Sequence, residues 1–222
     1  MKRVKERYLI AYNVIQASAW TIVARAIVKA SYGTTNETPY DAARDVLVTF
    51  QMISLLEVAH AIVGITKTPI GSALMQWLGR THVLMCALDP IKALHATSAA
   101  TTLAAAWACT EVVRYPSYAM ALYSKCPAWL NWLRYTIFIP LYPIGAGAEM
   151  KLMYDARAYA REKRMYSISM PNAMNFAFDY ATFLNGLLIV YPFLFYSLYA
   201  YMFAQRKNKL GHVSSVGKTH TN

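Results

Sequence analysis

Long apolar runs separated by short polar stretches organise this chain. A helix that crosses the hydrocarbon of a bilayer needs about 20 mostly apolar residues. Residues 8–30 supply the first such run, with Trp20 inside it and Arg25 and Lys29 near its far end. Those long stems can carry their charges back to the headgroups. Residues 31–45, with Gly33, Asn36, Pro39 and three acids, read as a loop. Further runs fall at 46–65, 74–95, 97–113, 129–150 and 176–203, and the run at 74–95 is interrupted by Asp89-Pro90 and Lys92. No stretch shows the ten-residue alternation of a membrane β-barrel. Backbone groups inside lipid must be satisfied within their own segment, so the runs are expected to be helices. The pattern predicts an all-α, polytopic membrane protein: a six-transmembrane-helix bundle forming one domain over 1–205. A basic, disordered tail is expected over 206–222.

Composition supports this reading. The chain is 57% apolar and 15% charged, against roughly 25% charged in average soluble domains. The charges gather at 1–7, 151–164 and 206–218. The net charge of +11 does not point to nucleic acid, because such binders line a face or groove with Lys and Arg. Here the basic residues flank apolar runs, where the partner is a lipid headgroup. The first seven residues carry +3, the chain from 204 carries +4 and residues 31–45 carry −2. Both ends on the cytosolic side of an even number of spans fits those charges. Residues 150–175, at +3, sit against that rule. Cys86, Cys109 and Cys126 have no C-x-x-C spacing and read as buried, reduced hydrophobes. No cleavable signal peptide is evident, so the first run is expected to remain as a span.

Ionisable side chains inside a bilayer are costly, at about 2.5–3.5 kcal/mol each on insertion scales, and call for a reason. Glu57 and His60 share a helix face three residues apart. Glu-x-x-His is also half of a di-iron carboxylate motif. The second half is missing, so a packed, hydrogen-bonded pair is preferred and no metal is expected. Glu111 and Arg114, also three apart, are either an intrahelical pair or part of a site. Tyr142 and Glu149 are seven apart, which places them on one helix face about 10 Å apart along the axis. Pro140, Pro143, Gly145 and Gly147 between and around them predict a kink or an unwound turn. Such a break could present free N–H groups to a substrate oxygen. The alternative is a Pro/Gly hinge with an interfacial Tyr and a Glu near the headgroups.

Several motifs then align with one family. They are Tyr8-Leu9-Ile10-Ala11-Tyr12-Asn13 with Trp20, Leu56-Glu57-Val58-Ala59-His60 with Gly64, and Trp107, Glu111, Arg114-Tyr115 and Tyr118. Next come Leu133-Arg134-Tyr135, Phe138, and Leu141-Tyr142-Pro143-Ile144-Gly145 with Glu149. Pro171-Asn172, Phe178-Asp179-Tyr180 and Gln205-Arg206-Lys207 follow. In order and spacing this resembles the 3-hydroxyacyl-CoA dehydratases of fatty-acid elongation, long labelled protein-tyrosine-phosphatase-like. Gly79 before Arg80, Ala108 after the tryptophan, and Ser117 before Tyr118 depart from that pattern. The phosphatase label fails on the residues themselves: four residues separate Cys109 from Arg114 and seven separate Cys126 from Arg134, so no Cys-x5-Arg loop exists.

The resemblance implies six spans in the endoplasmic reticulum membrane with both ends cytosolic. It implies Tyr142 and Glu149 as the catalytic pair, supported by Arg80, Glu111, Arg114, Arg134 and Gly145. The implied reaction, third in the elongation cycle, removes water from 3-hydroxyacyl-CoA to give trans-2-enoyl-CoA. It needs one acid and one base, whose roles could fall either way on the pair, and no cofactor. The acyl chain is expected in a slot beside Ala104, Ala105 and Ala106, and the CoA phosphates on Lys151, Arg157 and Arg161. Expected partners are the bilayer, the acyl-CoA and the neighbouring elongation enzymes, namely the condensing enzyme and the ketoacyl and enoyl reductases. The competing functions are a non-catalytic membrane scaffold of the same fold and a small transporter.

Overall fold

Thr38 marks where the first reversal ends. Its hydroxyl accepts the Asp41 N–H at 3.0 Å, and Pro39 sits at the first helical position, where a missing N–H costs nothing. Helix therefore begins at Pro39, inside the stretch 31–45 that composition predicts as loop. The computed structural model describes residues 2–216 apart from 34, 125 and 174, with side chains from 3 to 210. Its helices are α1 (Lys2–Ser31), α2 (Pro39–Ile53), α3 (Leu55–Ile62), α4 (Ile70–His82), α5 (Lys92–His95), α6 (Ser98–Tyr123), α7 (Ala128–Arg134), α8 (Phe138–Glu162) and α9 (Tyr180–Val216). A π-helical turn, Val83–Leu88, extends α4. Among the described residues the only strand-like feature is one bridge between Ile168 and Phe178. The fold is all-α, as the apolar pattern predicts.

One long-range polar cluster explains where these boundaries differ from expectation. Arg44 donates to both oxygens of Asp89, at 2.5 and 2.8 Å, and Tyr40 donates to the same carboxylate at 3.0 Å. His95 bridges Asp41 at 2.7 Å and the Asp89 carbonyl at 3.1 Å. Asp41 and Asp45, two of the three acids that suggest a loop at 31–45, and the Asp89 that interrupts the third run therefore belong to one cluster. It fastens the start of α2 to the end of the π turn.

The other corrections concern length. The helix expected over 129–150 is broken at 135–137 and then runs unbroken from Phe138 to Glu162. Most of the basic stretch 151–164 is thus helical. The last helix starts at Tyr180 rather than 176 and continues to Val216. Residues 206–216, expected to be disordered, are helical, while 217–222 lie outside the described residues.

Successive rods run in opposite directions. Tyr8, early in α1, meets His60 near the end of α3 at 2.8 Å. Arg206, late in α9, meets Thr136 just before α8 at 3.4 Å, and Asn185, early in α9, meets Arg157, late in α8, at 2.6 Å. One end of the molecule therefore holds the start of α1, the end of α3, the α7–α8 junction and Arg206. The opposite end holds the start of α2, residues 89–97 and the α8–α9 connection. Trp20, Leu103, Tyr115 and Leu152 pack in the core between them. Pro39–Ile62 and Tyr180–Leu210, with mean hydropathies of 1.5 and 1.7, are long and apolar enough to cross a membrane. The outer face of α9 exposes Ile189, Phe193 and Tyr196, an apolar surface of the kind lipid covers.

Candidate active site

α8 carries Tyr142 and Glu149 as an unbroken helix, so the seven-residue spacing does place them on one face. The expected unwinding at 140–147 is absent, and the cause is a contact from α9. Pro143 lacks the N–H that would bond the carbonyl four residues back, at Ile139. The Tyr199 hydroxyl from α9 donates to that carbonyl at 2.9 Å, which satisfies the backbone without a break. Tyr199 also stacks on Tyr142, with centroids 5.9 Å apart, and Phe195 stacks at 5.4 Å. The Tyr142 ring is therefore held by aromatic contacts. Its hydroxyl has no hydrogen-bond partner among the described residues.

Two donors hold Glu149. Trp107 Nε1, on α6, donates to Oε1 at 3.1 Å, and the Tyr191 hydroxyl, on α9, donates a short bond to Oε2. Tyr142, Glu149 and Arg80 lie within electrostatic reach of one another. α6 can approach α8 closely because Gly145 faces Ala106: a Cβ at 145 would sit 3.7 Å from the Ala106 Cβ. The alanines expected to line an acyl slot are used here for helix contact, and Ala104 lies in the core cluster.

A network of opposite charges lies beside this pair. Arg114 donates Nη1 and Nη2 to the two oxygens of Glu57, at 2.9 and 3.2 Å, and Nε to Glu111 Oε2 at 2.6 Å. Glu57 also receives Tyr115 at 2.5 Å and Tyr12 at 3.3 Å. Arg80 Nη1 donates to Glu111 Oε1 at 2.5 Å, and its guanidinium carbon lies 4.2 Å from the Trp107 ring centre. The Glu111–Arg114 pair is thus both intrahelical and part of a larger assembly that joins α3, α4 and α6. Glu57 and His60 are engaged separately, with Arg114 and Tyr8, rather than with each other.

The remaining expected residues are dispersed. Arg134 lies over Tyr118 at 4.2 Å and Tyr135 at 5.0 Å, at the α7–α8 junction. Lys151 pairs with Asp155 at 2.5 Å. Arg157 and Arg161 line a cavity of about 600 Å³ with Tyr154, Thr97 and Asn185, at the opposite end of the molecule from Arg134. Sequence reasoning missed Tyr191 as a holder of Glu149, and Phe195 and Tyr199 as the walls around Tyr142. Each is one aromatic among many in an apolar run, with nothing local to mark it.

Comparison with known proteins gives this arrangement a family. The family described as "Protein tyrosine phosphatase-like protein, PTPLA" matches residues 51–212. Very-long-chain (3R)-3-hydroxyacyl-CoA dehydratase 2 of Mus musculus is 34% identical over 207 residues, covering 92% of this chain and 81% of that protein. The Caenorhabditis elegans dehydratase hpo-8 is 33% identical over 208 residues, covering 93% of this chain and 95% of its own. Arabidopsis thaliana PASTICCINO 2 is 33% identical over 210 residues, covering 93% and 94%. No solved structure matches the chain. The chain belongs to the protein-tyrosine-phosphatase-like family, whose named relatives here are 3-hydroxyacyl-CoA dehydratases.

Proposed function

We propose that this protein is a hydro-lyase that converts a very-long-chain (3R)-3-hydroxyacyl-CoA to the trans-2-enoyl-CoA. The single observation that carries this reading is the Tyr142 and Glu149 pair on one face of α8, with a held carboxylate and an unengaged phenol. The names of the relatives support the substrate class. The thioester acidifies the proton on C2, and the hydroxyl on C3 must leave with a proton. Glu149 takes the C2 proton. The electron pair left on C2 forms the C2=C3 bond as the C3–O bond breaks, and Tyr142 protonates the departing oxygen to give water. The proton on Glu149 then returns to the phenolate, which restores both groups. The reaction is redox-neutral and balanced without a cofactor. Glu149 is assigned as base because Trp107 and Tyr191 fix its orientation; Tyr142 is assigned as acid because its hydroxyl has no acceptor among the described residues.

Tyr191→Phe removes one donor to Glu149 without changing the ring. A hydrogen bond to a charged group contributes about 1.5–3 kcal/mol. Turnover is expected to fall about 10-fold to 100-fold, with the melting temperature lowered by only a few degrees. Equal turnover in the variant and wild type would remove Tyr191 from the account.

The setting we propose is the endoplasmic reticulum membrane, with six crossings and both chain ends cytosolic. The alternating rods support it, as does the charge at each end. Lys5, Arg134 and Arg206 lie at the end shared by the start of α1 and the late part of α9. Opposite them, Arg44 and Lys151 are neutralised by Asp89 and Asp155. Within 150–175 itself, Lys151 is paired with Asp155 four residues on, and the segment keeps its net +3. In this orientation Lys151, Arg157 and Arg161 face the lumen, so we assign the CoA phosphates to Arg134 and Arg206 instead. A cysteine placed at Arg161 should react with an impermeant reagent only from the lumenal side. Reaction from the cytosol would return that segment to CoA. The substrate must come from a ketoacyl reductase and the product must pass to an enoyl reductase, which makes those enzymes the expected neighbours.

The direct test is purified wild-type protein given a long-chain (3R)-3-hydroxyacyl-CoA. Formation of the trans-2-enoyl-CoA is expected; no product would leave the scaffold or transporter readings.

A further inference from the structure

Elimination through C2 makes a demand that Tyr142 and Glu149 do not meet. As the C2 proton leaves, negative charge spreads onto the thioester oxygen, and a group must be waiting there. Arg80 has the geometry for it. Its Nη1 is committed to Glu111 at 2.5 Å, and the other Glu111 oxygen is held by Arg114 at 2.6 Å, so the guanidinium is clamped. Its Nε and Nη2, which form one edge of the planar group, are buried and find no acceptor among the described residues. A buried charged donor without an acceptor carries its full desolvation cost and calls for a partner. Arg114 cannot serve instead, because its Nε, Nη1 and Nη2 all donate to carboxylates.

Trp107 relates this free edge to the base. Its ring centre lies 4.2 Å from the Arg80 guanidinium carbon, while its indole N–H donates to Glu149 at 3.1 Å. Guanidinium and carboxylate are therefore positioned against the same indole. Trp20 lies 5.5 Å from the guanidinium on its own account, and its Nε1 is also buried without an acceptor. Orphan donors thus cluster around Arg80, next to the proposed base.

We propose that Arg80 Nε and Nη2 donate as a pair to the thioester carbonyl oxygen of the bound acyl-CoA and hold the charge that develops on it. This rests on the dehydratase reading. Two adjacent donors in one plane suit an oxygen with two lone pairs, and the clamp on Nη1 leaves only this edge free. Arg80 transfers no proton in the reaction. Its task is to lower the cost of removing the C2 proton by Glu149.

The test compares two unreactive ligands of equal chain length: a saturated acyl-CoA, and the S-alkyl-CoA thioether that lacks the carbonyl oxygen. Wild-type protein is expected to bind the thioester about tenfold tighter or more, as a hydrogen bond to a charged group implies. Arg80→Lys keeps the charge beside Glu111 and the fold, but has no planar edge with two donors. It is expected to lose most of that preference and to turn over about 100-fold more slowly. Arg80→Gln should lose the preference entirely, and Arg80→Lys alone decides the matter if the glutamine variant does not fold. An Arg80→Lys protein that keeps the wild-type preference, or a wild type that binds both ligands equally, would overturn the inference. A wild type that prefers the thioester yet makes no enoyl-CoA supports the carbonyl contact and contradicts the dehydratase reading alone.

Discussion

Glu149→Gln is expected to lower dehydration by about 1,000-fold, and Tyr142→Phe by a similar factor, within the usual range for a positioned acid or base. Neither substitution should disturb the fold. Glutamine fills the volume of the carboxylate and can still accept the Trp107 indole N–H and bond the Tyr191 hydroxyl. Phenylalanine keeps the stacking on Phe195 and Tyr199, and the lost hydroxyl has no hydrogen-bond partner among the described residues. Turnover and melting temperature measured on the same preparations separate the two effects. A large loss of rate with little change in melting temperature is the expected pattern. If either variant turns over at the wild-type rate, that residue is not part of the chemistry.

Arg114→Ala is expected to have the largest effect on stability. Among the described residues Arg114 is the one cation that touches both Glu57 and Glu111, and Glu111 is 1% exposed. Without it, Glu57 keeps only phenolic donors and Glu111 only Arg80. Breaking a buried ion pair by removing one partner costs about 3–5 kcal/mol, a large share of a total stability of roughly 5–15 kcal/mol. The melting temperature in detergent should drop by about 10 °C, or the protein should fail to accumulate. Arg114→Lys should recover part of this, because an ammonium cannot reach three carboxylate oxygens in the planar fork of a guanidinium. The Arg44–Asp89 pair gives the contrast. The Arg44 side chain is 40% exposed, so Arg44→Ala should cost far less. A melting temperature for Arg114→Ala within a few degrees of wild type would show that the network is not structural.

The parts of this fold that were legible in the sequence are those written in local periodicity. Apolar runs located the helical rods, and the seven-residue spacing of Tyr142 and Glu149 placed them on one face. What escaped depends on pairing across long distances. The acids at 41 and 45 argued for a loop, because nothing nearby showed that Arg44 would meet Asp89 and that Asp41 would meet His95. Pro143 argued for a broken helix, because the hydroxyl that satisfies the Ile139 carbonyl comes from Tyr199. Trp107 and Tyr191 each lie 42 residues from Glu149, and no spacing rule connects them.

Arg80 shows how structure can give a role to a residue the sequence only marks. The resemblance picked it out without saying what it does. Its clamped Nη1 and open Nε/Nη2 edge assign it to the carbonyl oxygen, while Arg114, equally marked, is fully used in holding helices together.

The claim at the centre is that Tyr142 and Glu149 act as one acid–base unit. The most direct measurement is the rate of enoyl-CoA formation in a cycle of wild type, Tyr142→Phe, Glu149→Gln and the double variant. For groups acting as a unit, the losses do not add. The double variant should be no more than a few-fold slower than either single one. Losses that multiply, or a single variant that keeps the wild-type rate, would contradict it.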